Sequence, residues 1–147
     1  AVEVIRQRTG RRPNTLLLGA PVRGAVKVHP KIRDHFKYTN TAAVSLIMLA
    51  EYFDVDVVHS GDAIYDTGDA TTVDVWGNDI ILAYVPPVGQ RSMPLPSYGY
   101  TYQLNGHPFV EPSAWDNDTK SWCNDCLDEF SAELVGADAG FLFQNAI

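Results

Sequence analysis

The chain has few basic side chains, no long hydrophobic run and only two cysteines. Its 11 Lys and Arg stand against 18 Asp and Glu, which gives a formal net charge of −7 at pH 7. This balance argues against nucleic acid or an anionic membrane as a direct partner, because both require clustered cations. The longest apolar runs, such as Leu46–Ala50, are too short to cross a bilayer. Two cysteines are too few for a disulfide framework, and a reducing cytosol suits them best.

The length and the start of the chain set further expectations. A chain of 147 residues suits one domain, and a chain of this size buries roughly 70% of its unfolded surface. No basic segment followed by an apolar one opens the sequence, so no signal peptide is predicted. The first residue is Ala1, inside a helical pattern, so we expect a piece of a longer polypeptide.

The first third of the sequence has the pattern of helices around one buried strand. Gly10 suits the left-handed end of a helix, because glycine pays no steric cost there. Pro21 and Pro30 each suit a helix start, and Ser45 is a suitable N-cap. The predicted elements are helices over Ala1–Thr9, from Pro21, from Pro30 and over Leu46–Phe53, with a strand over Thr15–Leu18.

The remainder has the two-residue period of strands. Tyr98, Tyr100 and Tyr102 alternate with smaller residues, which predicts a strand with an aromatic stripe on one face. Asn105-Gly106 is a strong hairpin signal, so Pro108–Glu111 is predicted to return beside that stripe. The other predicted strands are Val55–Val58 and Ala63–Tyr65, on either side of a Ser60–Asp62 turn, and Asp79–Val85. Helices followed by strands indicate an α+β fold rather than a doubly wound α/β fold.

The stretch Trp122–Cys126, WCNDC, has the look of a thioredoxin active site. A redox Cys-x-x-Cys needs its first cysteine at a helix N-terminus, where the dipole favours the thiolate. Here the surrounding carboxylates disfavour it, and the motif stands too late in the chain for a thioredoxin fold to follow. The period leaves helix or strand open; in a strand Cys123 and Cys126 point to opposite faces and cannot act on one ligand. Packing is their favoured role.

Other chemistry finds little support. Zinc needs three or four ligands, and Cys123, Cys126 and His107 are the only clustered candidates. His29 and His35 do not share a helical face and are interpreted as loop or surface residues. The tyrosine stripe is interpreted as core or interface packing. The sequence therefore assigns no catalytic, cofactor-binding or metal-binding residue, and no cofactor.

Five stretches taken together resemble the C-terminal half of the major capsid protein of tailed bacteriophages. They are PNTLLLG at Pro13–Gly19, VHPKIRDHFKYTN at Val28–Asn40, VWGNDIILAYVPP at Val75–Pro87, SYGYTYQLNG at Ser97–Gly106 and ADAGFLFQNAI at Ala137–Ile147. None of these stretches is a catalytic or ligand-binding motif. Together the five stretches span nearly the whole chain. The resemblance is specific because all five occur, in this order.

The resemblance implies the α+β capsid fold shared by tailed-phage and herpesvirus shells. Residues 1–119 would form the axial domain, with a mixed or antiparallel sheet flanked by helices, and residues 120–147 would be closing strands that return toward the peripheral domain. The resemblance also favours a strand over Lys120–Val135, which places the two cysteines on opposite faces.

The function that the resemblance implies is structural rather than enzymatic. Copies of the chain would assemble into pentamers and hexamers of an icosahedral shell, with scaffold and portal proteins as further candidate partners. The protein would contact packaged DNA only indirectly, and no membrane would be a partner. The protein would reside in the virion and, during assembly, in the bacterial cytoplasm. Loops expected to meet neighbouring copies are Lys37–Thr41, Thr67–Thr72 and Val88–Ser97.

Two alternatives stay open at this point. A prophage-derived module could bind another protein without forming a shell. A thiol–disulfide enzyme is the weaker alternative, because the context of the Cys-x-x-Cys motif disfavours it.

Overall fold

The computed structural model describes residues 1–37, 44–91 and 95–147. Its backbone divides into two compact units. The first, here called the body, comprises Ala1–Tyr98 and Gly136–Ile147, and the second, here called the ribbon, comprises Gly99–Val135. The division into an axial domain over 1–119 and closing strands over 120–147 concerns positions in a shell, and it stays a prediction.

Helices make up much of the first part of the body. They are α1 (Val2–Thr9), α2 (Ala20–Val28), α3 (Pro30–Phe36) and α4 (Leu46–Phe53). The local signals act as predicted. Gly10 ends α1 with a φ of 70°, Pro21 and Pro30 lie in the first turns of α2 and α3, and the Ser45 hydroxyl accepts a hydrogen bond from the Met48 amide at 3.3 Å. The loop predicted for Lys37–Thr41 falls, beyond Lys37, outside the described residues.

A mixed four-stranded sheet holds the body together. Its strands are β1 (Thr15–Gly19), β2 (Val57–Gly61), β5 (Ile80–Ala83) and β12 (Gly140–Phe143), in the order β12-β5-β1-β2. Strand β2 is parallel to β1, whereas β5 is antiparallel to both β1 and β12. Strands β3 (Ile64–Asp66) and β4 (Thr72–Asp74) form a separate antiparallel pair. The predicted α+β class is confirmed.

The hydrophobic core lies between this sheet and the helices. It includes Ile5 of α1, Leu16 and Leu18 of β1, Val22 of α2, Ile32 and Phe36 of α3, Leu49 of α4, Val58 of β2 and Leu82 of β5. Each of these helices therefore contributes at least one buried apolar side chain.

One predicted turn is in fact part of a strand. Gly61, expected in a turn, ends β2 opposite Gly19 of β1. A Cβ atom at Gly61 would overlap the ring of Trp76, so close packing explains this glycine better than turn geometry does. The following strand, β3, pairs with β4 rather than with β2.

The ribbon consists of three successive antiparallel pairs. Strands β6 (Gly99–Gln103) and β11 (Phe130–Leu134) pair first, then β7 (Phe109–Val110) with β10 (Cys126–Leu127), and finally β8 (Ala114–Asp116) with β9 (Ser121–Cys123). The extended backbone expected over Lys120–Val135 is thus present as three short strands.

The hairpin predicted at Asn105-Gly106 is wrong. A tight turn does form there, since the His107 amide donates to the Leu104 carbonyl at 3.1 Å. However, β7 pairs with β10, and β6 finds its partner in Phe130–Leu134. The five-residue pairing of β6 with β11 outweighs a local turn signal that specifies chain direction but no strand partner.

Candidate interaction surface

The ribbon has no hydrophobic core of its own. The structure describes all of Gly99–Val135, and no residue in that range is buried. Its exposed large apolar side chains are Tyr102, Leu104, Phe109, Val110, Trp115, Trp122, Leu127, Phe130, Leu134 and Val135. An isolated two-stranded ribbon is only marginally stable in water. Apolar side chains exposed in such number indicate an interaction surface.

At the base of the ribbon, both faces carry apolar groups. Residues directly opposite each other in antiparallel strands share a face. Phe130 and Leu134 therefore lie on one face, opposite Gln103 and Gly99. Tyr100 and Tyr102 lie on the other face, opposite Glu133 and Ser131, with their ring centroids 6.3 Å apart. Neither face is a purely polar, solvent-facing side.

The tip of the ribbon is built around two tryptophans. Trp115 and Trp122 are directly opposite in β8 and β9, and their rings meet edge to face with centroids 5.4 Å apart. The Trp115 indole N–H donates to the Asn117 side-chain oxygen at 3.0 Å. Both indoles remain exposed, at 47% for Trp115 and 65% for Trp122. The pair thus presents aromatic surface in a fixed orientation.

The turn at the tip of the ribbon depends on Asp116. Its carboxylate accepts the Thr119 hydroxyl at 2.6 Å and the Asp118 amide at 2.9 Å. These hydrogen bonds, that of the Thr119 hydroxyl first, lower the pKa of Asp116 below its ordinary value of 3.8, because they favour the charged form.

The ribbon is strongly acidic. Its seven carboxylates, Glu111, Asp116, Asp118, Asp125, Asp128, Glu129 and Glu133, stand against one cation, Lys120. Across the fully described range Gly99–Val135, none of these carboxylates forms an ion pair within the chain. Asp128 accepts the Gln103 amide at 3.1 Å and Glu133 accepts the Ser131 hydroxyl at 2.6 Å. The ribbon therefore combines exposed aromatic groups with uncompensated negative charge.

A basic surface stands in contrast to the ribbon. Residues 20–37, here called the basic helix pair, span α2 and α3 and carry five cations, Arg23, Lys27, Lys31, Arg33 and Lys37, against one carboxylate, Asp34. Lys31 and Arg33 are exposed, and Val28, at the end of α2, is 67% exposed. Because Ile32 and Phe36 face the core, the charged residues between them face outward.

The sequence candidates for chemistry are not brought into a site. Cys123 and Cys126 are free, exposed thiols in two different strand pairs, β8–β9 and β7–β10. His107 Nδ1 lies 3.2 Å from the Leu127 carbonyl oxygen. Within residues 1–37, 44–91 and 95–147, no three His, Cys, Asp or Glu side chains are grouped so that they could hold a metal ion.

The predicted tyrosine stripe is divided between the two units. Tyr98 belongs to the body, where its amide donates to the Tyr84 carbonyl at 3.1 Å and its ring lies against Gly140. Tyr100 and Tyr102 belong to the ribbon. Packing explains the first tyrosine, and the interface role of the other two stays a prediction.

The loops expected to meet neighbours differ in exposure. Thr67–Thr72 largely forms the exposed connection between β3 and β4. Val88–Ser97, of which residues 92–94 lie outside the described residues, is exposed over 88–91, but Ser97 is only 2% exposed, so the expected exposure is wrong at that end and the neighbour contact stays a prediction. The Ser97 carbonyl lies against Gly136, in a tight approach between two body segments.

Sequence reasoning missed the ribbon as a surface. The signal was available in part, because seven of the chain's 18 carboxylates fall within its 37 residues. Exposure could not be inferred, since its strands have the same apolar alternation as half-buried strands.

The mixed α+β body and the ribbon match a solved protein of phage type. The crystal structure of a phage-related protein from Bordetella bronchiseptica RB50 aligns with 99% of this chain at a TM-score of 0.93 and 39% identity. In sequence, the chain is 40% identical to the major capsid protein of Burkholderia phage BcepMu over 143 residues, and this alignment covers 95% of the chain. The predicted resemblance to a phage major capsid protein is thereby confirmed.

The chain spans about half of each relative, 46% of the capsid protein and 48% of the solved structure. No protein-family model matches it. Among the described helices, none combines the length and apolarity needed to cross a membrane.

Proposed function

We propose that this chain is part of a structural subunit of a phage head, and that identical copies assemble into an icosahedral shell around phage DNA. The observation that carries the proposal is the 40% identity to a phage major capsid protein over 95% of the chain. The fold in this proposal is the capsid fold shared by tailed phages and herpesviruses, and the role is structural rather than enzymatic.

Within the shell, residues 1–119 would surround the five- and six-fold axes, and residues 120–147 would return toward the peripheral domain. Copies pack head to tail and close into pentamers and hexamers, because a heterologous contact closes only as a ring. Scaffold and portal proteins are further partners in this proposal. The assembled protein resides in the virion and its subunits in the bacterial cytoplasm. The net charge of −7 limits binding to packaged DNA.

The ribbon supports an assembly role on physical grounds. Thirty-seven residues without a buried side chain gain little hydrophobic stabilisation from their own fold. Exposed tryptophans such as Trp115 and Trp122 favour contact with another protein surface, where burial of aromatic rings dominates binding energy.

The test is expression of the full-length protein in a bacterium, with its neighbouring head genes, followed by negative-stain electron microscopy of the lysate. Closed shells or ring-shaped capsomers are expected. Dispersed monomers, with every partner gene present, would contradict the proposal and favour a prophage-derived protein-binding module.

The connection between β3 and β4 provides a local test of the same proposal. Asp69→Lys reverses a charge in the exposed Thr67–Thr72 loop and is expected to reduce the yield of shells. Circular dichroism of the isolated variant should be unchanged, because Asp69 lies outside the core. Normal shells from Asp69→Lys would contradict a neighbour contact by this loop.

A further inference from the structure

We propose that the acidic ribbon of one copy docks on the basic helix pair of a second copy, residues 20–37, and that this contact is one of the interfaces of the shell. The inference rests on the proposed function, which supplies neighbouring copies at high local concentration. Beyond that function, it specifies which surface of one copy contacts which surface of the next.

The charges of the two surfaces are complementary. The ribbon carries seven carboxylates and one lysine, whereas the basic helix pair carries five cations and one carboxylate. Complementary charge steers association and suppresses wrong pairings. Two ribbons would repel each other, so pairing of ribbon with ribbon is disfavoured although their exposed apolar groups alone would permit it.

The helix pair is chosen because it groups three cations without ion pairs, Lys27, Lys31 and Arg33; Arg11 and Arg91 also form none in the described part of the chain but stand apart in the sequence. In the body, Arg6 pairs with Glu3 at 2.8 Å, Arg8 with Asp138 at 3.1 Å, and Arg12 with Asp54 at 2.9 Å. In the basic helix pair, Arg23 pairs with Asp62 at 3.3 Å, whereas Lys27, Lys31 and Arg33 form no such pair within the described part of the chain. Their charge is therefore available for an incoming carboxylate.

Both surfaces also offer apolar groups beside their charges. On the ribbon, Tyr102 is 47% exposed and shares a face with Glu133, whereas Phe130 and Leu134 lie on the opposite face. On the body, Val28 is 67% exposed beside Lys27. An interface gains affinity from such apolar contacts and orientation from the charges around them.

The proposed contact is head to tail. The ribbon and the helix pair are different surfaces of one chain, so each copy donates its ribbon and accepts that of another. A contact of this heterologous kind generates rings when the rotation closes, which is what capsomers of the proposed shell require.

The experiment reverses each surface separately in the full-length protein. The ribbon variant carries Asp125→Lys, Glu129→Lys and Glu133→Lys, and the helix variant carries Lys27→Glu, Lys31→Glu and Arg33→Glu. We expect each to self-associate about tenfold or more weakly than the unchanged protein in sedimentation velocity, because the formal charge of the ribbon changes from −6 to 0 and that of the helix pair from +4 to −2, so the attraction between them is lost. A control with Glu51→Lys, Asp56→Lys and Asp74→Lys matches the charge change of the ribbon variant outside both surfaces, and it should associate normally.

Mixing the two variants tests whether the ribbon docks on a second copy of the chain. The three new lysines of the ribbon can then pair with the three new glutamates on the helices of the other variant, and both unchanged surfaces also meet, so association and shells should return in the equimolar mixture. A chain that carries all six changes should also associate. Recovery in these two samples also shows that the variants are folded.

Three results would overturn the inference. In the first, the ribbon variant assembles like the unchanged protein. In the second, the six-change chain recovers and the mixture does not, which indicates docking within one chain. In the third, the matched control is equally impaired, which indicates an effect of net charge alone. Failure of the unchanged protein to assemble is distinct from these, because it overturns the proposed function itself and the inference with it.

Discussion

The side chain of Asn14 acts as a strand partner for the backbone of Val85. Its Nδ2 donates to the Val85 carbonyl at 2.8 Å, and its Oδ1 accepts the Val85 amide at 2.9 Å. The Asn14 carbonyl also accepts the amides of Asp56 and Val57, at 2.9 and 3.1 Å. One residue just before β1 therefore ties the start of β2 to the end of β5.

Asn14→Ala is expected to lower the free energy of unfolding by about 1–3 kcal/mol, because it leaves partly buried backbone groups of Val85 without partners. Urea unfolding followed by circular dichroism measures this. Asn117→Ala, which removes one exposed hydrogen bond to Trp115, is the control and should cost less than about 0.5 kcal/mol. Equal effects of the two substitutions would contradict a special role for Asn14.

Gly19 and Gly24 should respond in opposite directions to alanine. A Cβ at Gly19 would overlap the backbone carbonyl of Gly77, whereas a Cβ at Gly24, inside α2, meets no atom within 4 Å. Gly19→Ala should destabilise by about 1–3 kcal/mol through overpacking, and Gly24→Ala should stabilise by about 0.5–1 kcal/mol. Thermal unfolding of both variants measures these changes in stability. A Gly19→Ala protein as stable as the unchanged protein would count against the close approach of β1 to Gly77.

Ser45 should contribute to stability as an N-cap. Ser45→Ala removes the acceptor for the Met48 amide and should cost about 1 kcal/mol. Ser45→Asp retains an acceptor and places a negative charge at the positive end of α4, so it should be neutral or stabilising. The comparison is made by urea unfolding; a loss in Ser45→Asp equal to that in Ser45→Ala would argue against capping.

Asp116 should make the tip of the ribbon sensitive to acid. Its pKa is lowered in the folded turn, so its stabilising effect is present above the ordinary value of 3.8 and is lost as the pH falls through the folded pKa. An NMR titration of the Asp116 carboxyl carbon measures this directly. Thr119→Val should raise the pKa of Asp116 toward its ordinary value, whereas Thr119→Ser should not; a midpoint unchanged in Thr119→Val would contradict the assignment.

The exposed thiols should react but not catalyse. Cys123 lies in strand β9, not at a helix N-terminus, and lacks the dipole that activates redox cysteines. We expect a thiol reagent to modify both cysteines in the folded protein, and insulin reduction to stay at background. Activity that disappears in Cys123→Ser would restore the thiol–disulfide alternative.

The candidate surface was only partly predictable from the sequence. The acidity of Gly99–Val135 can be counted directly from the residues. That Phe130 and Leu134 are exposed could not be predicted, because alternating apolar residues indicate a strand and do not say whether a second layer covers it.

The sequence by itself determined the local elements. Gly10, Pro21, Pro30 and Ser45 mark helix ends correctly, because caps and proline act on the backbone within one turn. Thr15–Leu18 and Asp79–Val85 were also predicted, since their apolar runs are short and bounded by turn residues.

Only the tertiary structure decided which strands pair. Strand β6 joins β11 across some thirty residues rather than the segment after Asn105-Gly106, and β2 lies parallel to β1. The free energy of such pairings comes from contacts between residues far apart in the chain, whereas turn and period signals report only on neighbours. For the same reason, the ribbon can be identified as an exposed surface only from the tertiary structure, which shows which strands are covered by other elements.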